Sequence, residues 1–562
     1  MSIAVVTGSV GRIPELHRAV RSVRNQTLRV KHYVFVDGEE HEAAVREVLG
    51  DDGRGVCVVV LPENTGGTGY NAHRIYAAAA WLVEEADWIA YLDEDCWLQP
   101  THFEDLWASV GERHEWAHSL RTIVDSEGRP VCDDMCESLG GLRHSVLSPG
   151  DFLVDVNCYL LKVSLARRVS FVWDAKARDP TKMEVDRAMC HCLLGAGLLP
   201  AVSRKHTVVY TAGSSPTSVR PEFFLEGNRR SQFDTTKRDV YVLHYTPEAT
   251  RRLCSGDAWN PLEEWAPTTW DGLRDACNLI DGYANAPIVP PGSILLCTLW
   301  HPSAFPEALL ARDDLFKVVY TVESPNVRHK DQWAWTYLDR FDVVLTYWKP
   351  LLRAHPNKAV FCPMNVHPAD LDDPLHRPMV LRENQGEGRS VGMVLERRPQ
   401  LFGTYEVDGV RLTCLDPLRE AYAVGLRELV VFGKGWDGVE GVRVGRSCGK
   451  PEDTEHSVDI LQRFVFALVL ENCDAEGYVS EKIYDAWMAG CVPLYYGTVP
   501  GCEDMLLDIR PYADGAALQR RLDALSEEEV AKLRRAVAEG RERALRTVDV
   551  HAVAGPLLEH IL

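Results

Sequence analysis

At 562 residues the chain exceeds what one hydrophobic core usually serves, so three or four packed units are expected. Hydrophobic residues make up 46% and charged residues 25%, the proportions of a globular protein, which excludes large disordered tracts. The 61 Lys and Arg against 82 Asp and Glu leave a net charge of −21 with no basic cluster, which excludes nucleic acid as a partner and requires any phosphate-bearing ligand to be small.

The start of the chain, Met1 to Gly8, shows no charged leader before an apolar stretch. No window approaches the ~18 uninterrupted apolar residues of a membrane span, so no membrane anchor is expected. With 16 cysteines and no secretory leader, the expectation is a cytoplasmic protein with reduced thiols. Cys132 with Cys136, and Cys190-His191-Cys192, fit no zinc spacing and read as ordinary thiols.

In chain order, apolar runs at Ser2–Thr7, Tyr33–Val36, Val56–Leu61 and Trp88–Leu92 read as buried strands, and Leu16, Ala19, Val20 and Val23 form a helical stripe between the first two. This βαβαβ pattern predicts a parallel sheet, whose ligands sit at the carboxyl ends of the strands. Polar residues fall at those ends: Asp37 after the second run, Asn64 with Gly66-Gly67 after the third, and Asp93-Glu94-Asp95 after the fourth. Carboxylates one residue apart can converge on a hard divalent cation, which prefers oxygen ligands and would neutralise a diphosphate.

Taken in order, Ala4-Val5-Val6-Thr7, "VFVDG" ending at Gly38, "ENTGGTGYNAHR" from Glu63 to Arg74 and "YLDED" from Tyr91 to Asp95 resemble the family 2 glycosyltransferases, which have the GT-A fold. The resemblance implies that Asp37 contacts the nucleoside of a sugar-nucleotide donor, with Asn64 beside it, and that Asp93 and Asp95 hold Mn2+ or Mg2+ on the donor diphosphate. Inverting transfer also needs a base for the acceptor hydroxyl, worth typically 10²–10⁴-fold. The nearest match to the family's Glu-Asp pair is Glu184-Val185-Asp186, which departs from it by the inserted valine and makes Asp186 the candidate, with Asp155 next. His206 is read either as a third metal ligand or as a structural histidine.

From about Pro221 to Pro291 the alternation is lost among tryptophans and prolines, which predicts a partly helical connector. It resumes in two groups, Ile294–Leu299, Val318–Val322 and Val343–Tyr347, then Val391–Leu395, Leu429–Phe432, Phe464–Leu470 and Val492–Tyr495, divided near Arg377–Gly388. The segment Phe464 to Gly497 carries the sharpest signal. A strand ends at Glu471-Asn472, Ser480 stands as helix cap, Ile483, Ala486, Trp487 and Gly490 form the stripe, and Cys491–Tyr496 is the next strand. Lys482 in the first turn opposes the helix dipole, a local misfit that makes sense if it faces a diphosphate.

This segment resembles the family 10 fucosyltransferases, of GT-B fold, with Leu470 and Ser480 replacing that signature's phenylalanine and threonine; Glu323-Ser324-Pro325 and Trp335-Thr336 extend the likeness upstream. It implies GDP-fucose as donor, with Lys482 and Glu481 on the diphosphate and ribose, and Glu471, Asn472 and Tyr478 lining the donor pocket. It further implies Glu323 as base and Arg397 or Arg398 as a second cation. No Asp-x-Asp cluster sits at a matching strand end, so no cofactor is expected in this half.

The expected architecture is thus α/β throughout. A single Rossmann-like GT-A domain occupies 1–245 and a connector 246–292; a double Rossmann-like GT-B module follows, its acceptor-side half at 293–385 and its donor-side half at 386–562. The module order resembles fusions of β-1,3-galactosyltransferase with α-1,2-fucosyltransferase, which implies UDP-galactose as first donor and a GlcNAc-terminated glycan as acceptor. Two other readings stay open: a fucosyltransferase whose first module only holds the acceptor, and a non-catalytic glycan-binding protein. Fucose linkage, α-1,2 or α-1,3, is also open.

Overall fold

The computed structural model describes residues 2–50, 55–67, 72–148, 150–177, 185–214, 218–231, 233–244, 246–255, 273–299, 305–321, 335–362, 383–395, 404–407, 409–433, 435–445, 457–498 and 501–547, with 555 and 559. The chain forms two compact units. One comprises Met1–Arg238, Cys254–Asp257 and Ile280–Pro291, the other Asp239–Leu253, Ala258–Leu279 and Gly292–Leu562.

The strands of the first unit are β1 (Ile3–Ser9), β2 (Lys31–Asp37), β3 (Val56–Leu61), β4 (Trp88–Tyr91), β5 (Trp97–Leu98), β6 (Trp116–Val124), β7 (Pro130–Asp133), β8 (Tyr159–Lys162) and β9 (Ala201–Thr211). They form one sheet in the order β3-β2-β1-β4-β8-β6-β9-β5, with β7 paired to β6. Strands β1 to β4 are parallel, whereas β8 runs antiparallel to both neighbours. The crossover helix Ile13–Arg24 starts with Pro14, whose missing N–H costs nothing in the first turn, and buries the predicted stripe Leu16, Ala19, Val20 and Val23. Because β1, β2, β3 and β4 point the same way, their carboxyl ends bring Ser9, Asp37, Leu61 and Tyr91, with the loops that follow, to one edge.

The second unit is built on two largely parallel sheets. The first runs β11-β10-β12-β13-β14-β15, built from β10 (Arg238–Leu243), β11 (Cys277–Asp281), β12 (Ile294–Leu299), β13 (Phe316–Thr321), β14 (Val343–Thr346) and β15 (Ala359–Phe361). The other runs β20-β19-β16-β21-β22-β23, from β16 (Val391–Val394), β19 (Leu429–Phe432), β20 (Arg443–Val444), β21 (Phe466–Leu470), β22 (Val492–Tyr496) and β23 (Leu507–Asp508). A separate antiparallel hairpin joins β17 (Thr404–Val407) to β18 (Val410–Thr413). The helix Glu481–Met488 buries Ile483, Ala486 and Trp487 against β21 and β22; each large side chain so buried contributes roughly 1.5–3 kcal/mol.

The α/β reading holds, and the connector reading is corrected. Segment 246–292 supplies β11, and β10 precedes it as a partner of β12. The signal was short: Val240-Tyr241-Val242-Leu243 is fully buried but only four residues long, hemmed by Arg238-Asp239 and His244. The strand expected from Phe464 begins instead at Phe466, because Phe464 closes a turn onto Leu461 and its ring fills the space beside Gly392, where a Cβ would stand 2.5 Å from it. Among the described residues no helix is long and apolar enough to cross a membrane.

Candidate active sites

At the carboxyl edge of the first sheet, the Asp93-Glu94-Asp95 turn splits its carboxylates. Glu94 folds back onto β1, accepting a hydrogen bond from Ser9 Oγ at 2.6 Å. Asp93 and Asp95 lie with Cys96 in one cluster whose ligand atoms all fall within 4.8 Å of one another. Burial pushes the Cys96 thiol well up, so it stays protonated and leaves the two carboxylates as the ligands a hard cation would prefer. Burial, then the charge of Asp95, push the Asp93 carboxyl up to about 7; a divalent cation between the pair would relieve that crowding. A hard divalent cation therefore fits this donor set.

Asp93 is held from three sides. The Tyr76 hydroxyl donates to Oδ1 at 2.7 Å, Asn157 Nδ2 donates to Oδ2 at 3.0 Å, and the Asp93 N–H donates to Asn157 Oδ1 at 2.6 Å. Asp155 caps the turn Val156–Cys158 that carries Asn157. Its other oxygen pairs with Arg121, which also binds Asp134 at 2.8 Å, so Asp155 is one arm of a buried ion network. That engagement makes it a scaffold for Asp93 and argues against its use as base.

Asp186 opens the helix Val185–Gly195 and reaches the same turn. Its Oδ2 accepts the Val156 N–H at 3.3 Å, and its Oδ1 lies 3.8 Å from His73 Nε2. Asp37 directs its carboxylate into the loop after β3, accepting from Thr65 N at 2.7 Å, Thr65 Oγ1 at 2.8 Å and Gly66 N at 3.0 Å. It therefore shapes the exposed loop that carries Asn64, at the edge expected for a donor. His206 is elsewhere: it stands outside the Asp93–Asp95 cluster, with Nδ1 3.9 Å from Asp133 Oδ2. This corrects the ligand reading, since β9 pairs His206 with Leu120 of β6 while Thr211, five residues on, reaches the Asp95 carbonyl.

In the second unit, Glu471 ends β21 fully buried. Its Oε1 accepts the Ser480 N–H at 2.9 Å and the Tyr495 hydroxyl at 2.9 Å, and burial raises its pKa. It fixes the start of the helix rather than lining an open pocket. Ser480 is the cap residue, but its hydroxyl caps nothing; it accepts from Lys482 Nζ at 3.0 Å. Lys482 Nζ also lies 3.3 Å from Glu481 Oε1, which places the cation at the helix start, 16% exposed. Asn472 Nδ2 donates to the Tyr478 hydroxyl at 3.1 Å, and the Tyr478 ring packs 5.5 Å from Tyr347, just past β14. Gly477, at φ 95°, passes so close that a Cβ would stand 2.6 Å from the Tyr347 carbonyl, so the two halves of this unit meet at the loop joining Asn472 to Ser480. Glu323, Arg397 and Arg398 lie outside the described residues.

Residues 4–130 match the model described as Glycosyl transferase family 2. The match supports a glycosyltransferase domain in the first unit. Among solved structures the chain is similar to S. aureus TarS 1–349 in complex with UDP, at 14% identity and a TM-score of 0.28, over 38% of this chain and 61% of that one. It is also similar to the galactosyltransferase LgtC in complex with donor and acceptor sugar analogues, at 13% identity and a TM-score of 0.27, over 41% of this chain and 97% of that one. The chain thus spans about three fifths of the TarS fragment. No curated protein matches it.

Within the first unit, sequence reasoning missed the residues set around the carboxylates, Tyr76, Asn157 and His73. The only available signal was Asp155-Val156-Asn157, an Asp set two residues before an Asn, as a tight capped turn requires. In the second unit the missed residue is Arg419, which donates from Nη2 to the carbonyls of Leu470 at 2.9 Å and Glu471 at 2.6 Å. Nothing local to Arg419 announces that contact 52 residues away.

Proposed function

We propose that the chain is a bifunctional inverting glycosyltransferase, transferring a hexose in its first unit and fucose in its second. In the first unit the donor is a UDP-sugar, read as UDP-galactose, and the bond made is read as β-1,3 to a GlcNAc-terminated glycan. The observation that carries this reading is the pair of converging carboxylates, Asp93 and Asp95, at the carboxyl edge of the parallel strands β1 to β4, within the residues 4–130 that match the family 2 model. Mn2+ or Mg2+ held there would screen the negative charge of the departing diphosphate. On this reading Asp37 and Asn64 contact the nucleoside of the donor. Asp186 takes the proton of the acceptor hydroxyl as its oxygen bonds the anomeric carbon, and the bond from that carbon to the diphosphate breaks with its electron pair leaving on the diphosphate.

The fucose step, from GDP-fucose and without a metal, is supported by the parallel sheets of the second unit and by Lys482 at a helix start. There backbone amides and a cation can offset diphosphate charge. Glu481 lies beside Lys482 and Glu471 holds the Ser480 N–H at the helix start, while the donor-pocket roles of Asn472 and Tyr478, and those of Glu323 and Arg397 or Arg398, are assigned by resemblance alone. Incubation of the protein with UDP-galactose and GDP-fucose, in the presence of a β-GlcNAc glycoside and with or without EDTA, tests both halves. The expected products are galactosylation abolished by EDTA and fucosylation that survives it. Galactose transfer that persists in EDTA overturns the metal role.

A further inference from the structure

Asp93 and Asp186 are attached to the same two elements. The turn Val156–Cys158 gives Asn157 to Asp93 and the Val156 N–H to Asp186. The first turn of the helix His73–Leu82 gives the Tyr76 hydroxyl to Asp93, and it presents His73 to Asp186 at 3.8 Å. The His73 ring cannot turn freely. It lies nearly parallel to the buried Trp173 indole, 14° between planes at 6.1 Å, and Tyr76 flanks it at 6.2 Å. Both partners of the pair are largely covered, with side chains 14% and 21% exposed.

We infer that His73 is a positioning residue for Asp186: its ring, set beside Trp173, faces Oδ1 at 3.8 Å while the Val156 N–H holds Oδ2 at 3.3 Å, and the two together fix the orientation in which the carboxylate meets the acceptor hydroxyl. The inference rests on the reading of Asp186 as base. The chemistry it serves is a single displacement. The acceptor O–H proton passes to the Asp186 carboxylate, the acceptor oxygen bonds the anomeric carbon of the donor, and the nucleoside diphosphate departs with the electron pair of the broken bond. A base misplaced by about 1 Å loses roughly 10²-fold in rate. The carboxylate cluster comprises Asp93, Asp95 and Cys96 and does not include His73, so on this reading its loss falls on transfer and leaves donor binding alone.

The test uses the full-length protein with UDP-galactose, Mn2+ and a β-GlcNAc glycoside, and compares His73→Ala, His73→Asn, Asp186→Asn and the double variant His73→Ala/Asp186→Asn. The expected result is a fall in kcat of about 10²-fold for His73→Ala with UDP affinity in Mn2+ within twofold of the parent. Partial recovery is expected in His73→Asn, which keeps a polar group toward the carboxylate. On an Asp186→Asn background, His73→Ala should cost nothing more, the signature of two residues acting as a unit. Unchanged kcat in His73→Ala, an equal fall in UDP affinity, or additive losses in the double variant overturn the positioning role. If Asp186→Asn itself retains parental turnover, or the parent transfers no galactose, the base reading beneath it fails instead.

Discussion

Tyr76→Phe isolates one of the three restraints on Asp93 without touching the packing. The phenylalanine keeps the ring contacts to Tyr91 at 5.0 Å and to Trp173 at 6.1 Å, and deletes only the hydroxyl that donates to Asp93 Oδ1 at 2.7 Å. A hydrogen bond to a charged group is worth about 1.5–3 kcal/mol, which converts to roughly 10–150-fold in an equilibrium constant. Part of that loss is shared by the metal-free protein, whose buried carboxylate also loses its donor, so the net effect on metal affinity should fall at about 10–100-fold, as for other groups that orient metal ligands. The assay is Mn2+ titration monitored by the free-ion EPR signal in the presence of UDP, with thermal unfolding as control. Mn2+ affinity within twofold of the parent, in a variant that unfolds at nearly the parental temperature, would refute the claim that Asp93 is aimed by its hydroxyl partner.

Three further outcomes follow from the same geometry. Lys482→Met should weaken GDP binding at least about tenfold and flatten its salt dependence, while UDP binding in Mn2+ is unchanged, both measured by calorimetry. Asp155→Ala leaves Arg121 buried with half of its carboxylate partners, and should lower stability by about 3–5 kcal/mol, visible as the earlier unfolding of the first unit in differential scanning calorimetry. His32, His102, His118, His144 and His244 are buried, and burial depresses their pKa values to about 3, 3, 4, 4 and 4 from 6.5. A histidine whose folded pKa lies below its unfolded one takes up a proton on unfolding. Stability is therefore complete above pH 6.5 and falls as the pH drops from 6.5 toward 4, by on the order of 1.4 kcal/mol per pH unit for each such residue. Denaturant melts across that range, read by circular dichroism, should show the decline; a flat profile contradicts the buried, neutral rings.

The strands that carry chemistry were legible because each is a short apolar run ended by a polar residue, a pattern that states both burial and the sheet edge. Val56–Leu61, Ile294–Leu299 and Leu429–Phe432 match the structure residue for residue. Strand β10 was not legible, since four apolar residues between charges look like a surface turn until pairing with β12 draws them into a buried sheet. In the first site, Asp93 and Asp95 could be paired from their spacing at a strand end, and the turn closed by the Cys96 N–H on the Asp93 carbonyl brings them together. His206 could not be placed, as its position along β9 depends on register shifts against β6. The restraining residues were hidden for a related reason: Tyr76, Asn157, Arg419 and Tyr495 act across 17, 64, 52 and 24 residues, distances over which sequence periodicity carries no information.

Glu471 has a consequence for how motifs of this kind transfer meaning. A carboxylate sealed from solvent cannot sample a sugar, and a neighbouring Gly497, where a Cβ would stand 2.6 Å from its Cγ, leaves no room to open one. What the Glu-Asn strand end encodes is the launching angle of the next helix. If the proposed donor site of this unit is right, donor swaps engineered into this scaffold should leave that acid alone and vary the side chains around Lys482.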